Sequence, residues 1–219
     1  MSDFAAARLH MVQSQLQTNR ITDPRLIEAI TEVPRERFAP EALRPLAYVD
    51  EDLALGRGRH LMEPMVFAHL VQASQPGPDD IVLDVGCATG YSSIVLSRLA
   101  GTVVALESDD EFAAQAAATF VELAVGNAVI VRGALPEGYA EQGPYDVVML
   151  NGAVEIVPER LTDQVAEGGR LVAVVNQPGQ PIGQVTLMKR EGRIVSSLAL
   201  LDAAIPLLPG FVREAKFVF

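Results

Sequence analysis

The stretch Val82–Tyr91 constrains the fold of this chain more than any other part of the sequence. An apolar run ends in Asp84, Gly86 and Gly90 follow, and a second apolar run further on ends in Glu107. This order predicts a strand, a tight loop, a helix and a second strand with a carboxylate at its end. Parallel strands arranged in this way bind nucleoside-containing cofactors at their carboxyl ends.

Strands and helices alternate from residue 80 onward. We expect strands at 80–85, 102–107, 128–131, 145–150 and 170–175, and helices at 91–100, 109–123 and about 158–165. This alternation predicts an α/β fold whose mostly parallel, doubly wound sheet carries helices on both faces. The segments 183–190 and 193–200 flank Glu191-Gly192 and predict a hairpin, so the sheet is expected to end in antiparallel strands.

The N-terminal part of the chain is expected to form an extension of helices and loops. The pattern predicts helices at 3–18, from the Asp23 cap and Pro24 to about residue 32, and at 64–74, with short helical turns and loop over 34–62. We therefore predict a single domain. It comprises an N-terminal extension (1–78), a cofactor-binding core (79–176) and C-terminal antiparallel strands (177–219). The apolar segments 205–209 and 216–219 are expected to pack onto the sheet.

Charge and cysteine content narrow the partners and the compartment. The formal net charge of −11 disfavours a broad nucleic-acid surface. We expect the arginines of the N-terminal third to be solvated surface residues; they are Arg35, Arg37, Arg44, Arg57 and Arg59. A single cysteine fits a reducing compartment, and the first residues resemble the start of a cytoplasmic protein. No apolar stretch is long enough for a membrane span, and the scattered His and Cys residues predict no metal site. The sequence leaves the oligomeric state open.

The loop after the first strand of the core discriminates between cofactors. A dinucleotide site needs glycines at positions 86, 88 and 91, where this chain has Gly, Ala and Tyr, and a P-loop needs a lysine that is missing. The spacing instead resembles the S-adenosylmethionine loop of Rossmann-like methyltransferases. Asp84 suits the ammonium group of the cofactor, and Glu107 can accept two hydrogen bonds from the ribose diol. The expected cofactor-binding residues are Asp84, Gly86, Cys87, Ala88, Gly90, Tyr91, Glu107, Ser108, Ala134 and Leu135. The alternative is that the glycines serve only the turn and that Glu107 is a solvated strand end.

Motifs outside this loop resemble one methyltransferase family. The segments VPRERFAP (33–40), LALGRGRHLMEP (53–64) and GPYDVV (143–148) are similar, in order and spacing, to those of the protein-L-isoaspartate O-methyltransferase family. The resemblance extends over roughly residues 10–176. It implies a repair enzyme that uses S-adenosylmethionine to methylate the abnormal α-carboxylate of isoaspartyl residues in damaged proteins. The implied partner is a protein or peptide substrate.

The chain departs from the family pattern at three places. The family's active-site serine is replaced by Met62, its glutamine by Glu63 and its threonine by His60, and these three positions are our candidate catalytic residues. The family's Gly-Asp-Gly is replaced by Gly133-Ala134-Leu135. Its Thr-Ala after the fourth strand is replaced by Asn151-Gly152.

These departures leave the methyl acceptor open. A carboxylate with a pKa of about 4 is ionised at neutral pH and needs no general base, so Met62 does not by itself abolish transfer. Glu63 is expected either to cap the helix that begins at Pro64 or to repel an acidic substrate. His60 either assists the acceptor or lies exposed in its loop. Two alternatives therefore stand beside isoaspartyl methylation: another acceptor, or a cofactor-binding protein without transfer activity.

Overall fold

A computed structural model describes residues 3–213, and within this range a seven-stranded sheet organises the chain. The strands are β1 (Leu53–Gly56), β2 (Arg59–Leu61), β3 (Ile81–Val85), β4 (Thr102–Glu107), β5 (Ala128–Arg132), β6 (Tyr145–Val154), β7 (Val165–Asn176), β8 (Gly183–Glu191) and β9 (Ile194–Ala203). The helices are α1 (Phe4–Met11), α2 (Pro24–Glu32), α3 (Pro64–Ser74), α4 (Tyr91–Ser97), α5 (Asp110–Glu122) and α6 (Glu159–Thr162).

The strand order of the large sheet is β5-β4-β3-β6-β7-β8-β9. Strands β3 to β7 pair in parallel, whereas β8 and β9 pair antiparallel. The chain thus moves outward from β3 to β5 and returns to the other side of β3 as β6. The carboxyl ends of β3 and β6 consequently border the point where the strand order reverses, which is where open α/β sheets bind ligands. The expected fold class, including the antiparallel end, is confirmed.

The two faces of the sheet are covered differently. Helices α1 to α5 all contribute side chains to one hydrophobic cluster, which also contains Val82 and Val103 of the sheet. The opposite face packs against the one-turn helix α6, the short 3-10 turn Leu135–Glu137 and residues Leu208 and Phe211. The second face therefore relies mainly on irregular segments for its cover.

Local sequence signals explain several element boundaries. The Asp23 side chain accepts a hydrogen bond from Arg25 N–H at 2.9 Å, and Pro24 occupies the first position of α2. The predicted helix at 3–18 is α1 continued by a π turn and a 3-10 turn to residue 19. Helix α4 ends at Ser97, earlier than predicted, and α6 is a single turn. Strand β6 runs four residues beyond the predicted end because Ala153 and Val154 still pair with β7.

The expectation of only turns and loop over residues 34–62 was wrong. Strands β1 and β2 form a hairpin, joined by Arg57 and Gly58 at φ values of 53° and 72°. Two residues with positive φ give the tight turn that matches the twist of a hairpin. The strands of four and three residues are too short to show alternation, and Arg57 is not a typical residue for that turn. This hairpin carries Arg59 and His60 to the carboxyl end of the sheet.

Residues 205–211, which we call the C-terminal strap, cross the carboxyl end of β6. Ala153 N–H donates to the Pro206 carbonyl at 2.9 Å, and Leu208 N–H donates to the Ala153 carbonyl at 2.7 Å. Ile205, Leu208 and Phe211 are buried. The expected packing of residues 205–209 is confirmed, whereas the segment 216–219 lies outside the described residues. Across residues 3–213, none of the helices has both the length and the apolar character needed to cross a bilayer.

Candidate active site

The loop between β3 and α4 begins at Gly86 and ends at Gly90. Their φ values are +77° and +93°, a region that residues with a side chain rarely adopt. Gly86 N–H donates to the Leu106 carbonyl at 2.8 Å, which fixes the loop against the end of β4. The structure thus brings the glycine loop and Glu107 together at the carboxyl end of the sheet.

Glu107 is buried, and hydrogen-bond donors surround its carboxylate. Ser108 N–H at 2.8 Å and Asp109 N–H at 3.0 Å donate to Oε1, and Ala88 N–H donates to Oε2 at 2.8 Å. The Arg59 guanidinium completes the shell, with one nitrogen 3.2 Å from Oε1 and the other 3.0 Å from Oε2. The alternative of a solvated strand end was therefore wrong. Arg59 is only 4% exposed, so the expectation of a surface arginine was also wrong at this position.

The space next to Gly86 is filled by side chains of this chain. Arg59 donates to the Gly86 carbonyl. A Cβ atom built on Gly86 would lie 2.8 Å from a terminal nitrogen of Arg59 and 3.0 Å from a methyl group of Leu208. The glycine loop and the carboxylate of Glu107 match the chemistry of a nucleoside cofactor with a ribose diol. Arg59 and Leu208 of the C-terminal strap occupy the space beside Gly86.

Asp84 is fully buried near the end of β3, and three side chains donate hydrogen bonds to its carboxylate. Ser92 Oγ at 2.7 Å and Ser93 Oγ at 2.5 Å donate to Oδ2, and the Asn151 amide donates to Oδ1. Burial raises the pKa of Asp84, and these hydrogen bonds oppose the shift because they favour the ionised form. Asp84 therefore anchors the start of α4 and the end of β6.

His60, Met62 and Asn151 lie between two small cavities. These cavities measure about 10 and 20 Å³, and all three side chains line both of them. Ligand pockets usually measure about 300–1,000 Å³, so each cavity has room for about one water molecule. Gly86 and Cys87 line the larger of the two cavities, so His60 and Met62 lie beside the glycine loop. A cavity of about 620 Å³ near His69 and Leu201 contains none of the predicted site residues.

The start of α3 is an acidic cluster. Met65 N–H donates to Asp50 at 3.0 Å and Glu63 N–H donates to Asp52 at 2.9 Å, whereas the Glu63 side chain makes no capping hydrogen bond. The prediction that Glu63 caps this helix was therefore wrong, because Asp50 supplies the cap. Burial, followed by the charges of Asp52 and Asp50, raises the pKa of Glu63 to about 7. Burial also raises the pKa of Asp52.

Arg35 positions the segment that carries Met62. It is buried and donates to the Ala47 carbonyl at 2.7 Å and to the Met62 carbonyl at 2.6 Å. Its guanidinium lies 4.9 Å from the centre of the Tyr91 ring. The prediction of a surface residue was wrong for Arg35, because two carbonyls and an aromatic face replace water around its charge. Arg37, Arg44 and Arg57 are exposed as expected.

The remaining predicted residues have different surroundings. Cys87 is buried, and burial followed by the charges of Asp84 and Glu107 raises the pKa of its thiol, so it is no nucleophile. Ala134 is exposed, whereas Leu135 is buried in the second core cluster. Among residues 3–213 no three His, Cys, Asp or Glu side chains are grouped closely enough to hold a metal ion.

Sequence reasoning missed four contributors to this site: Arg59, Ser92, Ser93 and Leu208. The two serines had a local signal, since they begin the helix that follows Gly90 and can reach back to Asp84. No local signal marks the pairing of Arg59 with Glu107, which are 48 positions apart. The structure explains why the chain has Asn151-Gly152 where the family pattern has Thr-Ala. Asn151 holds Asp84, and a Cβ on Gly152 would lie 2.9 Å from Leu208.

Comparison with known sequences identifies related proteins. The profile of the Protein-L-isoaspartate(D-aspartate) O-methyltransferase family matches residues 7–204. Protein-L-isoaspartate O-methyltransferase 2 of Anaeromyxobacter sp. (strain Fw109-5) is 40% identical over 181 residues, which cover 83% of this chain and 73% of that protein. The protein-L-isoaspartate O-methyltransferase of Roseiflexus sp. (strain RS-1) is 34% identical over 215 residues, covering 98% of this chain and 97% of that protein.

Comparison with solved structures agrees on the fold. A protein-L-isoaspartate O-methyltransferase superposes with a TM-score of 0.82 at 23% identity, covering 94% of this chain and 67% of the other. A Plasmodium falciparum structure assigned to the same enzyme, in complex with S-adenosyl-L-homocysteine, gives a TM-score of 0.75 at 16% identity and covers 95% and 99%. At these identities the structural matches establish the fold alone.

Proposed function

This chain belongs to the protein-L-isoaspartate(D-aspartate) O-methyltransferase family, an S-adenosylmethionine-dependent enzyme family, and we propose that it methylates the α-carboxylate of isoaspartyl residues in proteins. The proposed active site consists of the glycine loop 86–90, Glu107 and the segment 60–62. S-adenosylmethionine would supply an electrophilic methyl group on a sulfonium cation.

The observation that carries this proposal is the position of the glycine loop. Gly86 begins the loop beside the end of β4, and Glu107 ends that strand with its carboxylate directed at Ala88 N–H, 2.8 Å away. The strand order reverses next to β3, and open α/β sheets bind ligands at the carboxyl ends of the strands at such a point, which supports the proposal. We propose Gly86, Gly90 and Glu107 as direct cofactor contacts. Asp84 is proposed to act indirectly, through Asn151 and the serines of α4.

The proposed reaction requires little general acid–base catalysis from the protein. The acceptor is a carboxylate, which is ionised at neutral pH and attacks without a general base. The protein's contribution is to hold the acceptor in line, to exclude water and to limit its motion. His60 can donate a hydrogen bond to a carboxylate, and buried Met62 keeps the adjoining surface dry. We therefore propose His60 as the donor to the acceptor and Met62 as an apolar wall.

A second candidate keeps the cofactor and changes the acceptor. The observation that favours it is Met62, which is 6% exposed and provides no donor at the position where the family resemblance implies a serine. The acidic cluster of Asp50, Asp52 and Glu63 adds negative charge near the same segment. An acceptor with less negative charge than an isoaspartyl carboxylate would be repelled less by this cluster.

A labelling assay tests the proposed acceptor. The protein would be incubated with S-adenosyl[methyl-³H]methionine and an isoaspartyl peptide, and the matched control is the same peptide with an ordinary aspartyl residue. We expect base-labile label in the isoaspartyl peptide alone, because an α-carboxylate methyl ester hydrolyses readily. Equal label in both peptides would favour the second candidate. Absence of label in both would contradict methylation of isoaspartyl residues.

The same proposal includes a single domain, a protein substrate and a cytoplasmic location. The N-terminal extension shares one hydrophobic cluster with the sheet, which supports a single methyltransferase domain. The net charge of −11 favours a protein substrate over nucleic acid. The buried free thiol of Cys87 is compatible with the reducing cytoplasm.

A further inference from the structure

We propose that Arg59 competes with the cofactor's ribose for Glu107, and that the cofactor binds only when Arg59 and Leu208 vacate the space beside Gly86. This inference rests on the proposed function for the identity of the cofactor. It assigns to Arg59 a role that differs from catalysis. Arg59 is a positioning residue that sets the affinity and the rate of cofactor binding.

The first step of the argument concerns the hydrogen-bonding capacity of Glu107. An ionised carboxylate offers about four lone-pair sites. Three backbone amides and two guanidinium nitrogens already approach the two oxygens. The backbone donors belong to the loop and to the start of α5, so they are fixed. The side-chain donors that can leave are Arg59 and the Ser108 hydroxyl, which lies 3.3 Å from Oε1. Arg59 is the one that approaches both oxygens, so a ribose diol can bind only after Arg59 moves away.

The second step concerns the volume beside Gly86. Arg59 and Leu208 both lie within 3.0 Å of a Cβ built on Gly86. Leu208 is held there by its N–H, which donates to the Ala153 carbonyl at 2.7 Å. The absence of a side chain at Gly152 allows the strap to come this close. Movement of Arg59 alone would therefore leave the leucine in place, and the site opens only when both side chains move.

The third step concerns charge. The sulfonium and the ammonium group of S-adenosylmethionine are cationic, so a guanidinium that stayed at the site would repel them. In the closed arrangement the same guanidinium is stabilised by Glu107 and by the Gly86 carbonyl. The closed arrangement thus lowers the apparent affinity for the cofactor by the fraction of molecules that are open.

Calorimetric titration with S-adenosyl-L-homocysteine tests the proposal. We expect Arg59→Gln to lower Kd by up to about tenfold, as for an open arrangement populated at about 10%. Leu208→Ala is expected to lower Kd in the same direction, because it clears the other half of the space. The matched control is Arg57→Gln, which removes a guanidinium two positions before Arg59. Arg57 is exposed and forms ion pairs with Asp109 and Glu111. This control should leave Kd unchanged. Thermal unfolding of each variant checks that it is folded.

A double-mutant cycle separates competition from a general effect of charge. In a Glu107→Gln background, the gain produced by Arg59→Gln should be smaller, because competition for the carboxylate is removed whereas the bulk and the charge of Arg59 remain. An unchanged or higher Kd in both Arg59→Gln and Leu208→Ala would overturn the inference, and the proposed function would stand if the unaltered protein binds the ligand. No binding by the unaltered protein or by any variant at millimolar ligand would overturn the cofactor assignment itself. The two failures are therefore distinguishable.

Discussion

Arg59 and Glu107 form a buried ion pair in which a guanidinium nitrogen lies 3.0 Å from a carboxylate oxygen, although the residues come from a hairpin and from the central sheet. The pair joins β2 to the end of β4. It lies where relatives of this family are expected to bind their cofactor. We therefore expect stability and ligand affinity to depend on the same two side chains.

The ion pair leads to a first prediction about stability. Glu107→Gln leaves the Arg59 charge buried without a counter-ion, which typically costs about 3–5 kcal/mol of unfolding free energy. Urea denaturation followed by circular dichroism measures this loss. The matched control is Asp110→Asn, whose pair with Arg132 is exposed and is expected to change stability by about 0–1 kcal/mol. Addition of Arg59→Met should recover part of the loss, and no recovery would contradict the pairing.

A second prediction concerns Met62. Met62→Ser places a hydroxyl donor beside the acceptor, and one hydrogen bond to a charged group contributes about 1.5 kcal/mol, or roughly tenfold in kcat/KM for an isoaspartyl peptide. The truncated side chain also leaves a cavity that costs about 2–5 kcal/mol of stability. Met62→Ala is the matched control, since it makes similar space without a donor. Equal kinetics for the two variants would show that no carboxylate reaches this position.

A third prediction concerns the pH dependence of stability. The pKa of Glu63 is raised to about 7 in the folded protein, above its ordinary value of 4.5, so the folded state holds this proton more tightly. The resulting stabilisation is complete below the unfolded pKa and is lost as the pH rises through about 7. Glu63→Gln should therefore have a higher Tm than the unaltered protein at pH 8 and a similar Tm at pH 4.

The control for this third prediction is Glu51→Gln, which removes an exposed carboxylate from the same loop. Its Tm should follow that of the unaltered protein across the pH range. A Glu63→Gln variant whose Tm difference is the same at both pH values would contradict the raised pKa of Glu63.

A fourth prediction concerns Arg35. Arg35→Met leaves the Ala47 and Met62 carbonyls buried without their donor, and each orphaned group costs about 1–3 kcal/mol. Removal of a buried charge offsets part of this cost, so we expect a net loss of about 2 kcal/mol in unfolding free energy. Arg37→Met, an exposed substitution nearby, should have little effect. A neutral result for Arg35→Met would mean that the segment around Met62 is held by other contacts.

Local patterns in the sequence were enough for most of the architecture. Asp23 and Pro24 marked the start of α2, and the apolar run before Asp84 marked β3, because capping and periodicity act over a few residues. The hairpin of β1 and β2 was missed since its turn uses Arg57 at positive φ. The cap of α3 was misassigned because the group that accepts from Met65 N–H is Asp50, which lies 15 positions away in the sequence. No pattern near Pro64 indicates that contact.

By itself the sequence determined the α/β class, the glycine loop and the family, since these depend on residue types at short and regular spacing. Tertiary structure alone decided what surrounds Glu107. A strand-end carboxylate attracts any donor that the fold brings near, and long-range packing selected Arg59 and the strap leucine Leu208. Arg59 and Leu208 belong to no recognisable local pattern in the sequence. Their burial beside Gly86 is the basis for proposing that they control access to the site.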